Sequence, residues 1–166
     1  CAIVEVPWQF YMHYGDASVL EKYYPSMLRY FDYLEAHSYG KLVVSDKKGE
    51  WCLGDWCPPI SVVLPAPFVN NYFYIKSLMR CIEIVKIIGK SDDITAFEQR
   101  IAERKEAVMA AYFNIWDGNF LGGQQAANAF AVDIGLGDER TYKNTLEHYR
   151  KLGGYDTGIF GTDILT

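Results

Sequence analysis

Apolar residues recur at steps of three and four along almost the whole chain, and that spacing confines it to an architecture of packed helices. Leu20, Tyr24, Met27, Phe31 and Leu34 make one buried face, with Arg29, Asp32 and Glu35 opposite. Pro25 either opens this long helix or kinks it, and Gly40 is expected to end it. Before it, Pro7, Trp8, Tyr11, Met12 and Tyr14 predict a shorter aromatic helix stopped at Gly15-Asp16. Phe68, Tyr72, Ile75, Met79, Ile82 and Val85 form the next face, ended by Gly89. Ser91-Asp92-Asp93 then reads as the N-cap of a helix buried through Ile94, Phe97, Ile101, Val108 and Tyr112.

Beyond the turn signal Trp116-Asp117-Gly118-Asn119-Phe120, residues 125–134 are small and apolar, as suits a short, closely packed helix. Gly135-Leu136-Gly137 breaks it. Asp138 caps a last amphipathic helix carrying Tyr142, Leu146, Tyr149 and Leu152, which Gly153-Gly154 terminates. The expected fold is mainly α, with about six helices in antiparallel hairpins joined alternately by short turns and by long loops rich in aromatic and acidic residues. Residues 38–67 carry no sustained helical period and have room for a short strand or two; connections of this length are commonly functional. No fixed short repeat appears, which excludes a tetratricopeptide-type solenoid.

The 166 residues suffice for one core without an internal domain boundary. A net charge of -5 argues against a nucleic-acid partner, whose binders show a clustered basic surplus. No apolar run approaches the roughly 18 residues of a membrane span, so no membrane partner is expected. Cys1, Cys52, Cys57 and Cys81 lack the paired spacing of a zinc framework and read as buried free thiols. His13, His37 and His148 fall on different helices without a partner at ligand spacing, so neither a metal nor another cofactor is expected. The first residue is Cys and the last six end on an apolar pair before Thr166, so the chain reads as a piece of something longer. Compartment stays open between bacterial cytoplasm and periplasm or secretion, any export signal lying outside the chain.

Three loop segments place polar side chains beside Trp, Gly or Pro. In Glu50-Trp51-Cys52-Leu53-Gly54-Asp55-Trp56-Cys57-Pro58-Pro59, indole rings flank a carboxylate. Ring faces cover the apolar face of a pyranose while a carboxylate accepts its hydroxyls; the alternative is that Trp51 and Trp56 plug the core and Asp55 caps a turn. Gln125 and Asn128, three apart, share a helix face and point either into a pocket or at buried backbone. Gly154-Tyr155-Asp156-Thr157-Gly158-Ile159-Phe160-Gly161-Thr162 reads as a tight loop holding Asp156 and Thr157, with an Asx or Thr turn as the structural reading.

Taken in order, Val6-Pro7-Trp8-Gln9-Phe10-Tyr11, Leu20-Glu21-Lys22-Tyr23-Tyr24-Pro25-Ser26-Met27, Gly54-Asp55-Trp56, Gln125-Ala126-Ala127-Asn128-Ala129 and Asp156-Thr157-Gly158-Ile159-Phe160-Gly161-Thr162 resemble the catalytic (α/α)6 barrel of bacterial α-L-rhamnosidases, glycoside hydrolase family 78. The resemblance implies an inverting hydrolase that removes terminal α-L-rhamnose from glycosides or polysaccharides. It also implies that residues 1–166 are part of one catalytic barrel domain, with the catalytic acid and base outside the chain. Substrate-binding residues expected from it are Trp51, Asp55, Trp56, Gln125, Asp156 and Thr157, although Tyr155 stands where family members often have His. The partner implied is a rhamnose-containing carbohydrate. A part of a barrel should also expose an apolar flank, able to support a crystal dimer. The reading from a different class is a non-catalytic helical-hairpin module for interaction or carbohydrate binding, and another α/α-barrel hydrolase or lyase would share the fold.

Overall fold

In the computed structural model, which describes residues 1–43, 54–58 and 64–166, the helical faces assemble as antiparallel pairs. The pairs are α1 (Ala2–Tyr14) with α2 (Ser18–Ala36), α3 (Ala66–Ile87) with α4 (Ile94–Tyr112), and α5 (Gln125–Asp133) with α6 (Glu139–Leu152); α7 (Ile159–Leu165) follows. Helices α1, α3, α5 and α7 pack on one another in sequence and form an inner layer, while α2, α4 and α6 lie outside on their partners. Short turns therefore connect inner to outer helices at one end. The long connections 37–65, 113–124 and 153–158 lead back from outer to inner helices, and their described residues meet at the other end.

The predicted stripe of α2 is buried through Leu20, Tyr24, Met27 and Phe31, and joins Val4, Tyr74, Leu78, Cys81 and Phe97 in one core cluster. Phe68, Tyr72 and Ile75 pack with Val108, Phe120 and Phe130 in a second. Helix α3 belongs to both clusters and buries eleven residues along its length, because it has neighbours on several sides. Burial pushes the Cys81 thiol up to about 12, so it behaves as a core residue.

Two short hairpins decorate the loop end. β1 (Ser38–Tyr39) pairs with β2 (Leu42–Val43), and the two residues between them, Gly40 and Lys41, both have positive φ, the geometry of a type I′ turn. Asn71 of α3 fastens this hairpin, accepting from the Val43 amide at 3.1 Å. β3 (Phe113–Asn114) pairs with β4 (Asn119–Phe120), and Asn128 of α5 accepts from the Phe120 amide at 2.8 Å.

Several expectations are corrected. The first helix starts at Ala2 and continues through Pro7, which is buried inside it. Helix α2 likewise runs unbroken through Pro25 and ends at Ala36, so Gly40 serves the hairpin turn instead of the helix stop. Ser91–Asp93 winds into a 3-10 turn without a side-chain cap, and Asp93 instead accepts the Tyr24 hydroxyl at 2.5 Å. Helix α6 carries the expected cap at Asp138, completed by Thr141 into a capping box, but it buries Thr141 and Thr145 and turns Tyr142, Leu146, Tyr149 and Leu152 outward. The reason is that its inward face is held by hydrogen bonds to the β3–β4 turn, as in Thr141 Oγ1 to the Gly118 carbonyl at 2.8 Å. Residues 159–162, expected as part of a tight loop, lie in helix α7. Cys1 and Cys57 are exposed, Cys57 at a turn with φ of 59°, and neither is a buried thiol; Cys52 lies outside the described residues.

No described helix is long and apolar enough to cross a membrane. An apolar flank is exposed on α1 through Val6, Phe10, Met12 and Tyr14.

Candidate functional site

The Gly54-Asp55-Trp56 segment and the 154–162 segment are one structure. Helix α7 begins with amide groups that have no partner within the helix, as every α-helix does. Asp55 supplies them from 103 residues away: its Oδ2 accepts from the Gly158 amide at 2.7 Å and its Oδ1 from the Gly161 amide at 2.8 Å. The Trp56 carbonyl accepts from the Ile159 amide at 2.8 Å. A negative carboxylate at the positive end of a helix adds a favourable charge term. With 7% exposure and both oxygens engaged by backbone, Asp55 is an anchor for α7.

This close approach explains the glycines. A Cβ at Gly158 would stand 2.1 Å from the Asp55 carbonyl oxygen and 2.4 Å from that of Trp56. At Gly161 it would meet the Asp55 carboxylate at 2.7 Å and the Ala126 methyl at 3.1 Å. Gly154 has open space around it. Gly158→Ala is therefore expected to destabilise by roughly 1–3 kcal/mol through overpacking against rigid backbone, and Gly154→Ala to be nearly neutral. Parallel thermal melts of the two variants check this, and equal melting temperatures would reject it.

The other candidates extend the same knot. Gln125, fully buried at the start of α5, donates from Nε2 to the Gly154 carbonyl at 3.1 Å, while its Oε1 has no partner. The Thr157 and Thr162 hydroxyls share a hydrogen bond of 2.7 Å. Asp156 is buried, with Oδ2 3.3 Å from His148 Nε2 and with Oδ1 unpartnered. His148 Nδ1 lies 2.8 Å from the Gly123 carbonyl, which can only accept, so that nitrogen carries the proton. When the ring is protonated on both nitrogens it pairs with Asp156 and bridges the loops before α5 and α7.

Four of the six expected residues, Asp55, Gln125, Asp156 and Thr157, thus come together as an internal fastening of three loops. Trp56 is the one among the described five whose ring faces outward, 48% exposed. Beside it Cys57 and the residues of α7 border a shallow groove of about 670 Å³. Trp51 lies outside the described residues. Asn128 serves the β3–β4 hairpin, and Asp117 lies at that hairpin's turn, held against the first half of α6 by Arg140 and Asn144. Among the described residues no three His, Cys, Asp or Glu side chains are grouped as a metal site. Sequence reasoning missed His148, whose two partners lie 25 and 8 positions away, and missed the reason for Gly158 and Gly161.

The family model for the bacterial alpha-L-rhamnosidase 6 hairpin glycosidase domain matches residues 1–166. An alpha-L-rhamnosidase of Formosa agariphila is 26% identical over 176 residues, covering 96% of this chain and 18% of that protein. One of Streptomyces avermitilis is 28% identical over 133 residues, covering 80% of this chain and 12% of that protein. The chain therefore spans less than a fifth of the length of these curated relatives. The crystal structure of the Streptomyces avermitilis alpha-L-rhamnosidase complexed with L-rhamnose aligns with a TM-score of 0.83 at 26% identity, over 97% of this chain and 15% of that one. An Aspergillus terreus alpha-L-rhamnosidase shares the fold, with a TM-score of 0.81 at 20% identity over 99% of this chain and 20% of that one. With the match of the family model running from the first residue to the last, the chain belongs to the six-hairpin glycosidase domain family of bacterial α-L-rhamnosidases.

Proposed function

We propose that this chain is the central part of an inverting α-L-rhamnosidase and forms one wall of its rhamnose pocket, with Trp56 as the sugar-packing surface. The observation that carries the reading is the convergence of all three outer-to-inner loops at one end, where Asp55, Gln125, Asp156 and Thr157 hold the loops and leave the Trp56 ring exposed. A pyranose presents an apolar C–H face that stacks on an indole, so fixing the ring in place before binding reduces the ordering cost. The acid and base come from outside residues 1–166. In an inverting site they stand about 6.5–9.5 Å apart, one protonating the leaving oxygen and the other activating water on the opposite face. The six hairpins named for the family also give the exposed apolar faces of α1 and α6 an occupant, the neighbouring hairpins of the same barrel.

The test is hydrolysis of an aryl α-L-rhamnoside by the full-length protein that carries this chain, with the anomer of the first product read by NMR. Release of the β-anomer is expected. Trp56→Ala should raise KM by about tenfold, as loss of one well-packed aromatic contact does, with a smaller change in kcat. Retained configuration would reject inversion, and an unchanged KM would remove Trp56 from the pocket.

A further inference from the structure

We propose that the inner faces of α1, α3 and α7 form a further binding site, for a neutral polyhydroxylated molecule of monosaccharide size. The cavity there has a volume of about 350 Å³ and is lined by Glu5 and Gln9 of α1, by Lys76, Ser77 and Arg80 of α3, and by Asp163 of α7. Ser77 is 1% exposed, in the middle of a core helix, and its hydroxyl makes no hydrogen bond. Glu5 Oε1 is buried and equally without a hydrogen bond, and beside it Arg80 Nε, which donates no hydrogen bond, is ion-paired with Glu5 Oε2 at 3.5 Å; all three residues border this one cavity. Buried polar groups in folded proteins are satisfied by protein, water or ligand, and a concentration of unsatisfied ones on a cavity wall marks what the cavity is built to hold.

The charges select the ligand class. Glu5 lies 3.5 Å from Arg80, and Lys76 lies 2.7 Å from Asp133, which also accepts the Tyr72 hydroxyl. An anion entering here meets Glu5 and Asp163, and a cation meets Arg80 and Lys76. A molecule with vicinal hydroxyls is opposed by neither: one hydroxyl donates to Glu5 Oε1 and another pairs with the Ser77 hydroxyl, which can donate or accept. Phe73 and Phe160, with ring centroids 5.1 Å apart, give the same cavity an apolar wall for the C–H face of a ring. Ser77 is eleven residues along α3 from Ala66, about 16 Å at the helical rise, so one sugar ring does not span from this cavity to the loop end of the helix.

The choice of L-rhamnose as probe rests on the proposed function; the chemistry of the cavity does not. Isothermal titration of the full-length protein with L-rhamnose is expected to show two sets of sites. Ser77→Ala and Glu5→Gln should each weaken one set about tenfold, leaving kcat on the aryl rhamnoside unchanged, and Trp56→Ala should weaken the other. A single set of sites overturns the inference, as does a second set that neither substitution touches. If other segments of the full-length protein fill the cavity with their own side chains, only one set appears and the inference falls. Ser77-dependent binding without hydrolysis would leave this site standing and reject the rhamnosidase reading, whereas hydrolysis with a single, Trp56-dependent set would do the opposite.

Discussion

Asp55→Ala is expected to lower the melting temperature by about 8–16 °C. The carboxylate is the acceptor for two buried amides, those of Gly158 and Gly161, and among the described residues no other side-chain acceptor takes its place. Truncation leaves both donors without a partner at roughly 1–3 kcal/mol each, so a loss of about 4 kcal/mol is the middle of the range. For a chain of this size each kcal/mol moves the midpoint by roughly 2–4 °C. Asp55→Asn should fall between, since one amide keeps an oxygen acceptor while the other faces an NH2 group. Hydrogen exchange gives the local readout: the Gly158 and Gly161 amides should lose protection first, because the helix they start has only seven residues. A melting temperature within about 2 °C of the parent, or unchanged protection at those two amides, would show that α7 is held by something else. In the full-length protein the same substitution should free the Trp56 segment, so under the proposed function rhamnoside hydrolysis should fall as well.

The dependence of α7 on Asp55 also explains which parts of the molecule were legible in the sequence. Helices α2 and α3 were, because Leu20, Tyr24, Met27 and Phe31, like Phe68, Tyr72 and Ile75, are buried by neighbours whose approach follows from hairpin pairing alone. Helix α7 was not. Gly158 and Gly161 read as loop residues locally, while a Cβ at Gly158 would run into the backbone of residues 55 and 56 and one at Gly161 into the side chains of Asp55, Thr157 and Ala126. The stripe of α6 was visible, but amphipathicity does not say which face finds a partner; here Thr141, Asn144 and His148 bond to the loops and Tyr142, Leu146 and Tyr149 face out. At the site, the resemblance brought Asp55, Gln125, Asp156 and Thr157 onto one list, and the structure shows them tied into one loop assembly. What spacing could not supply was that a carboxylate beside a tryptophan is committed to backbone amides a hundred residues away.

Arg104 is the residue whose role was least visible and whose partner should be among the most costly to lose. It occupies the apolar stripe of α4 between Ile101 and Val108, yet its side chain is 1% exposed and fully used. One guanidinium nitrogen donates to the Lys41 carbonyl at 2.7 Å, the other to Glu35 at 2.5 Å and to the Ser38 hydroxyl at 3.1 Å, and the group lies 3.9 Å from the Tyr74 ring centroid. The contacts join α4 to the end of α2 and to the β1–β2 hairpin, from which the long connection carrying Trp56 departs. The two partners are not equivalent. Removing Glu35 leaves a buried cation without its counter-charge, and Glu35→Ala is expected to cost about 3–5 kcal/mol. Arg104→Met removes the charge from the buried side, and Glu35, whose side chain is 40% exposed, returns to water, so the loss should be nearer 1 kcal/mol. Acid should act on the same pair. Burial pushes the Glu35 carboxyl up, but the hydrogen bond and charge of Arg104, joined by Lys41 and Arg100, outweigh it and hold the carboxyl below its ordinary 4.5. A carboxyl depressed in the folded state contributes stability that is fully present above that ordinary value and is lost as pH falls through the lower, folded one. Urea unfolding at about pH 6 and about pH 3.5 should therefore show a steeper acid loss in the parent than in Arg104→Met. Equal slopes, or an Arg104→Met variant as unstable as Glu35→Ala, would mean that the guanidinium is held by packing on Tyr74 and the Lys41 carbonyl, and that its charge does not matter.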